Sequence, residues 1–266
     1  MSTVKERYQS RIKPRLRKPL PKGVVPSFFT LMNLFCGFMA IVMISEGKLV
    51  NGAWLIVFAG VFDGLDGFMA RLTSSSGQFG AELDSLSDVV SFGVAPGLLL
   101  YKYGLFALPQ PVGILLAGLP AMCGAIRLAR FNVGTQVERS TIHFQGMPIP
   151  IQAGMIVSFY LFFRDVPDWF LWLENGLNQV LIPMVILLSF LMVSSVPFDK
   201  LPRIVRGEPV DKPRVYWFAA LFLMWVIFHE NGLIVAMVIY ISRGLYTGFR
   251  QFWTEFMSED AQHSAN

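Results

Sequence analysis

The sequence predicts an all-α, polytopic membrane bundle of about eight transmembrane helices, with its N-terminus on the cytoplasmic side. Three observations carry that reading. Of 266 residues, 54% are hydrophobic and 15% charged, and the mean hydropathy is +0.52, which is too apolar for an ordinary soluble domain of this length. Most long segments lack the polar face that a surface helix of a soluble protein presents. The basic residues cluster between the apolar spans instead of forming one patch, a distribution that fits a membrane protein and not a nucleic-acid binder.

The elements follow in order. Residues 1–23 form a basic juxtamembrane segment with Lys5, Arg7, Arg11, Lys13, Arg15, Arg17, Lys18 and Lys22 against one acid, Glu6. The segment lacks the apolar core and cleavage site of a signal peptide. It reads either as a polybasic stretch on anionic headgroups or as a solvated tail. Stretches able to cross roughly 30 Å of hydrocarbon then occur at 24–45, 52–72, 84–101, 111–131, 148–163, 179–197, 213–228 and 232–249. The last two also fit one re-entrant hairpin. Residues 24–250 thus make a single transmembrane domain, and 251–266 a cytoplasmic tail. With eight alternating spans, 19 of the 22 Lys and Arg fall inside and only Lys48, Lys102 and Arg164 outside, as the positive-inside rule requires. Cys36 and Cys123 lie within spans, as packing residues and not as a disulfide.

Carboxylates inside membrane helices are costly and therefore mark functional sites. Asp63 and Asp66 are three apart on the second span, with Gly67 and Ala70 on the same face; Asp84 and Asp88 are four apart, after Gly80. The polar linker 73–78 reads as a cytoplasmic turn between antiparallel helices, so both pairs face each other near the inner surface. Four such charges repel unless divalent cations bind, and hard oxygen ligands suit Mg²⁺ or Mn²⁺. Small residues at 67, 70 and 80 leave room for a diphosphate against the helix backbone. The plainer alternative is that the aspartates cap helix ends or pair with Arg71 and Arg127.

This segment, Asp-x2-Asp-Gly-x2-Ala-Arg-x8-Gly-x3-Asp-x3-Asp from Asp63 to Asp88, resembles the signature of the CDP-alcohol phosphotransferase family at every fixed position. The resemblance extends to an entry segment, Pro26-x3-Thr30-x2-Asn33-x3-Gly37. It implies that Asp63, Asp66 and Asp84 bind metal ions, expected as two Mg²⁺ or Mn²⁺, that hold the CDP diphosphate. Asp88 also lies at the metals and acts as the base. Asp63, Asp66, Gly67, Ala70, Arg71, Gly80, Thr30 and Asn33 are the residues expected to bind the CDP-lipid. Flanking stretches at 80–96 (GAELDSLSDVVSFGVAP), 127–133 (RLARFNV) and 144–150 (FQGMPIP) look most like the membrane-embedded phosphatidylserine synthases of bacteria and archaea. That likeness implies transfer of a phosphatidyl group from CDP-diacylglycerol to L-serine, in a homodimer of the cell (inner) membrane whose active site faces the cytoplasm.

Other residues keep two readings. Arg127, Arg130, Asn132 and Ser87 are candidates for the acceptor or its phosphate, yet the arginines also serve as positive-inside anchors and Ser87, like Ser85 and Ser91, suits close helix packing. Thr30 and Asn33 either border the nucleotide or bond between helices. A lone loop His143 is more often neither base nor ligand, and Trp169 and Trp172 fit an interfacial belt. Two rival functions stand: a relative using glycerol 3-phosphate or an inositol phosphate as acceptor, and a divalent-cation transporter, whose sites usually lie at mid-membrane with broken helices.

Overall fold

The computed structural model describes residues 24–73, 78–134, 143–165, 176–199 and 212–263. The basic segment 1–23, the linker residues 74–77, Trp169 and Trp172 lie outside them.

The first two helices, α1 (Val24–Ser45) and α2 (Leu49–Thr73), form a hairpin. Its turn is set by Gly47, whose φ of 81° suits only glycine at no cost. The Lys48 amide donates to Met43 O at 2.9 Å and the Gly47 amide to Ile44 O at 3.0 Å, the paired bonds of a Schellman ending. Beyond the turn, a Cβ on Gly52 would strike the Ile44 side chain, so the two helices touch almost backbone to side chain.

The third span is one continuous rod in three parts: α3 (Gln78–Asp88), a π-helical turn (Val89–Val94) and α4 (Ala95–Tyr103). The π-turn has a local cause. Pro96 lacks an N–H and its ring crowds the carbonyl four residues back, and the Ala95 amide reaches Val90 O, five residues back, instead. That widening, typical of π-bulges beside functional sites, lies directly after Asp88. Glycines on this rod meet neighbours closely. A Cβ on Gly93 would lie 2.8 Å from Ala121 Cα and one on Gly97 would strike Ala117 O, both on α5 (Gln110–Gly134). A Cβ on Gly37 of α1 would collide with Ser91. Small residues at membrane helix crossings permit this approach.

Next come α6 (Ile149–Phe163) and α7 (Asn178–Val193). Both are shorter than the spans expected at 148–163 and 179–197: at 15 and 16 residues they rise about 22–24 Å. The seventh helix stops at Val193 because Ser194 turns extended, and the chain then makes a short antiparallel ladder, β1 (His143–Gln145) with β2 (Pro197–Asp199). The Met147 amide donates to Leu191 O at 3.0 Å, tying this ladder to the bundle.

The last helical element, α8 (Lys212–His263), reverses at His229 (φ 51°, ψ −123°). Its arms, 212–228 and 230–263, pack antiparallel: Phe218 and Tyr240 rings lie 6.1 Å apart, and the Arg243 guanidinium sits 4.6 Å over the Trp217 ring. The expected spans at 213–228 and 232–249 are these two arms. At the reversal, Arg164 pairs with Glu230 at 3.2 Å and with Asp165 at 2.9 Å, fastening the hairpin tip to the end of α6.

Among the described residues the chain is an all-helical bundle apart from that small ladder. Among the described residues, five helical stretches are long and apolar enough to cross a membrane: Ser27–Ser45, Leu49–Ala70, Gln78–Tyr103, Gln110–Val133 and Val215–Gln251. The core holds Ala40, Ile44, Ile56, Phe92, Leu99 and Leu181, all buried. Large apolar side chains such as Phe35, Phe38, Phe58 and Phe190 are exposed, the outward face expected where the solvent is lipid. Both cysteines are free thiols, Cys36 buried and Cys123 half-buried.

Candidate active site

The acids come together between the C-terminal half of α2 and α3. Carboxylate oxygens of Asp63, Asp84 and Asp88 lie within 4.8 Å of one another. Helical periodicity explains the convergence: Asp84 and Asp88 share one face of the rod, and the antiparallel α2 brings Asp63 opposite them. Asp66 lines the same cavity and accepts a hydrogen bond from the Thr30 hydroxyl. No other carboxylate belongs to the cluster among the described residues.

Helix α1 serves as the scaffold for this group. Asn33 donates from Nδ2 to Asp88 Oδ1 at 3.2 Å, and Thr30 engages Asp66. In the reverse direction, the Ser87 hydroxyl donates to Thr30 O at 3.1 Å and the Ser91 hydroxyl to Asn33 O at 3.0 Å. Thr30, Asn33, Ser87 and Ser91 are all buried, so these bonds act where water does not compete.

The cluster forms the polar end of a cavity of about 1410 Å³ that is otherwise mostly apolar. Gly67, Ala70 and Gly80 line it, and a Cβ on Gly80 would meet nothing within 4 Å, which leaves open space against the backbone. Arg127, Asn132 and Ser85 also face it. Asn132 donates to Ser85 Oγ at 3.1 Å and to Glu82 Oε2 at 3.3 Å, a polar network between α5 and α3 that the sequence did not suggest. Two other candidates point elsewhere: Ser87 into the α1 contact, and Arg130 onto Val193 O at 2.8 Å, where it caps α7. The side chains of Arg71 and His143 lie outside the described residues.

Chemically, three convergent carboxylates with a fourth alongside are an all-oxygen donor set, the kind that holds Mg²⁺ or Mn²⁺ together with substrate phosphates. An unfilled cluster of this density would repel itself, so the residues present fit divalent cations.

Residues 23–191 match the family model described as CDP-alcohol phosphatidyltransferase. The chain belongs to this family. Among its relatives is a CDP-diacylglycerol–serine O-phosphatidyltransferase of Helicobacter pylori, 35% identical over 232 residues, covering 85% of this chain and 91% of the relative. A protein of the same name from Methanocaldococcus jannaschii is 32% identical over 221 residues, 83% of this chain and 92% of its own. A third, from Bacillus subtilis, is 37% identical over 177 residues, 65% of this chain and 89% of its own. Membership in a transferase family removes the cation transporter from consideration.

Proposed function

We propose that this protein transfers the phosphatidyl group of CDP-diacylglycerol to the hydroxyl of L-serine, giving phosphatidylserine and CMP. The observation that carries the reading is the aspartate cluster, oxygens within 4.8 Å, closing the polar end of a largely apolar cavity. A lipid diphosphate needs that pairing of metal-binding acids with an apolar groove.

In this reading Asp63, Asp66 and Asp84 hold two Mg²⁺ or Mn²⁺, with Asp88 beside them. When bound, such ions neutralise the diphosphate and stabilise departing CMP. Gly67, Ala70 and Gly80 let the diphosphate approach the helix backbone, with Arg71 on the nucleotide side and Thr30 and Asn33 acting there through the aspartates they bond. Asp88 takes the proton from the serine hydroxyl as the oxygen attacks phosphorus. The new bond is serine O–P, and the bond that breaks joins that phosphorus to the oxygen leaving with CMP. A carboxylate is a weak base toward an alcohol, so proton transfer accompanies attack instead of preceding it. Asn33, bonded to Asp88, fixes which oxygen faces the substrate.

Serine is favoured as acceptor by charge. Among the described side chains lining the cavity, Arg127 is the one cation against four aspartates. A phosphorylated alcohol would call for several basic side chains beyond the metal-bound aspartates, whereas the single carboxylate of zwitterionic serine fits the Arg127 fork. Arg130 and Ser87 act through the helices they hold, and Asn132 through its network with Ser85. The names of the relatives point the same way.

Topologically, we place the N-terminus and the cluster on the cytoplasmic side of the cell (inner) membrane, with eight crossings. Support comes from the 19-to-3 distribution of basic residues. Family likeness supports a homodimer. An acceptor screen tests the reaction: purified protein with CDP-diacylglycerol, Mn²⁺ and either L-serine, glycerol 3-phosphate or an inositol phosphate, reading CMP release. Serine alone should give product; release with glycerol 3-phosphate and none with serine would refute the assignment.

A further inference from the structure

The family match ends at residue 191, yet the cavity does not. Its apolar wall is built largely by the C-terminal hairpin. Phe218, Leu221, Phe222 and Trp225 on the first arm and Met237 and Tyr240 on the second all line it. These positions recur at three- and four-residue intervals, so each arm turns one continuous face inward. The Phe218–Tyr240 contact lies at the acid end, whereas Trp225 stands one turn before the reversal at His229. From Val215 to Trp225 the first arm rises about 15 Å, half of the roughly 30 Å hydrocarbon thickness. The wall is therefore about as long as one lipid leaflet is deep.

At that depth a second apolar cavity of about 460 Å³ opens between α2, α6 and the hairpin, lined by Ile56, Phe92, Ala153 and Gly154 among others. Trp225 borders both cavities, as do Phe222, Leu233 and Met237, and it is the bulkiest of the shared side chains. The Arg164–Glu230 pair holds the hairpin tip in place, so Trp225 is presented on a fastened element.

We infer that the C-terminal hairpin forms the binding wall for one acyl chain of the CDP-lipid, and that Trp225 sets the chain length the enzyme prefers. The occupant is fixed by continuity: a lipid whose diphosphate sits at the aspartates must lay its tails in the apolar part of the same cavity. The inference rests on the reaction proposed above and adds to it a specificity element outside the family domain.

The test compares dioctanoyl and dipalmitoyl CDP-diacylglycerol in detergent micelles with serine and Mn²⁺, reading the ratio of kcat/KM for the long lipid over the short one. Trp225→Ala removes the largest side chain shared by the two cavity linings and should raise that ratio threefold or more, since one buried methylene is worth about fourfold in affinity. Trp225→Phe, a milder change, should raise it less but in the same direction. Met237→Trp adds bulk at a position shared by both cavities and should lower it by a similar factor. Val226→Ala, on the exposed face of the same arm, should keep the wild-type ratio. An unchanged ratio in Trp225→Phe and Met237→Trp, whether activity is retained or falls equally for both lipids, overturns the inference and leaves the groove to a bulk lipid tail. Absence of CMP release by the wild-type protein from either lipid overturns the proposed reaction instead.

Discussion

Asp88→Asn separates the base role of this residue from its place in the fold. The amide keeps an Oδ1 that accepts the Asn33 bond, 3.2 Å in the native protein, and has nearly the same volume, so the bundle should form normally. What it loses is a charge and a proton acceptor. A general base typically contributes 10²–10⁴ in rate, equal to about 3–5.5 kcal/mol of barrier at 1.36 kcal/mol per decade. Stability should move in the opposite direction. At 4.8 Å and an effective dielectric of about 20, each carboxylate pair repels by about 3.5 kcal/mol. Rotation of free side chains and counter-ions dissipates most of that. If about 1 kcal/mol survives in the metal-free protein, the variant should melt about 2–4 °C higher than wild type. Added Mn²⁺ should then stabilise wild type more than the variant. The assay is CMP release with serine, paired with melting curves in EDTA and in Mn²⁺. A variant within threefold of the wild-type rate removes Asp88 from the base role. A variant that melts lower in EDTA shows that the cluster is not held under mutual repulsion.

Two further outcomes follow from the same geometry. Thr30→Val removes the donor to buried Asp66; a bond to a charged group is worth about 1.5–3 kcal/mol, so Mn²⁺ affinity by calorimetry should fall roughly tenfold or more, and unchanged affinity would detach Asp66 from the metals. Arg127→Lys keeps the charge but loses the planar fork, and should raise the KM for serine about tenfold with a smaller effect on the CDP-lipid; an unchanged serine KM would make Arg127 an anchor of α5.

The aspartate site was legible because two simple rules meet there: membrane helices exclude charge, and residues three or four apart share a face. Those rules placed Asp63, Asp84 and Asp88 together without any knowledge of the tertiary structure. They did not separate Asp66, whose partner Thr30 is 36 residues away, a distance that no local pattern spans. The π-turn was likewise hidden, because its cause, Pro96, also occurs in kinked or broken helices. The reversal at His229 left a readable trace, the polar run from His229 to Gly232 between apolar segments, and the two arms of α8 divide there. The hairpin's role as cavity wall left none, since Trp225 and Met237 look like any lipid-facing residues until α2 and α6 are packed against them.

Helix α1 gives the last and sharpest discrimination. Thr30, Asn33 and Gly37 fall on one face and meet, in order, Asp66, Asp88 and Ser91. Three of the four fixed positions of the entry segment thus touch the acid-bearing helices: Thr30 meets α2, while Asn33 and Gly37 fix the register between α1 and the third span. This geometry makes Asn33 a positioning residue acting through Asp88, not simply a border of the nucleotide. The two roles predict different kinetics. Asn33→Ala leaves Asp88 without its donor in a buried site, so kcat should fall about tenfold, the value of one lost bond to a charged group, while the KM for CDP-diacylglycerol stays within about twofold. In the Asp88→Asn background the same change should cost little more, because residues acting as a unit are not additive. If Asn33→Ala instead raises the CDP-lipid KM with kcat preserved, and does so equally in the Asp88→Asn background, its work is on the nucleotide and the positioning argument fails.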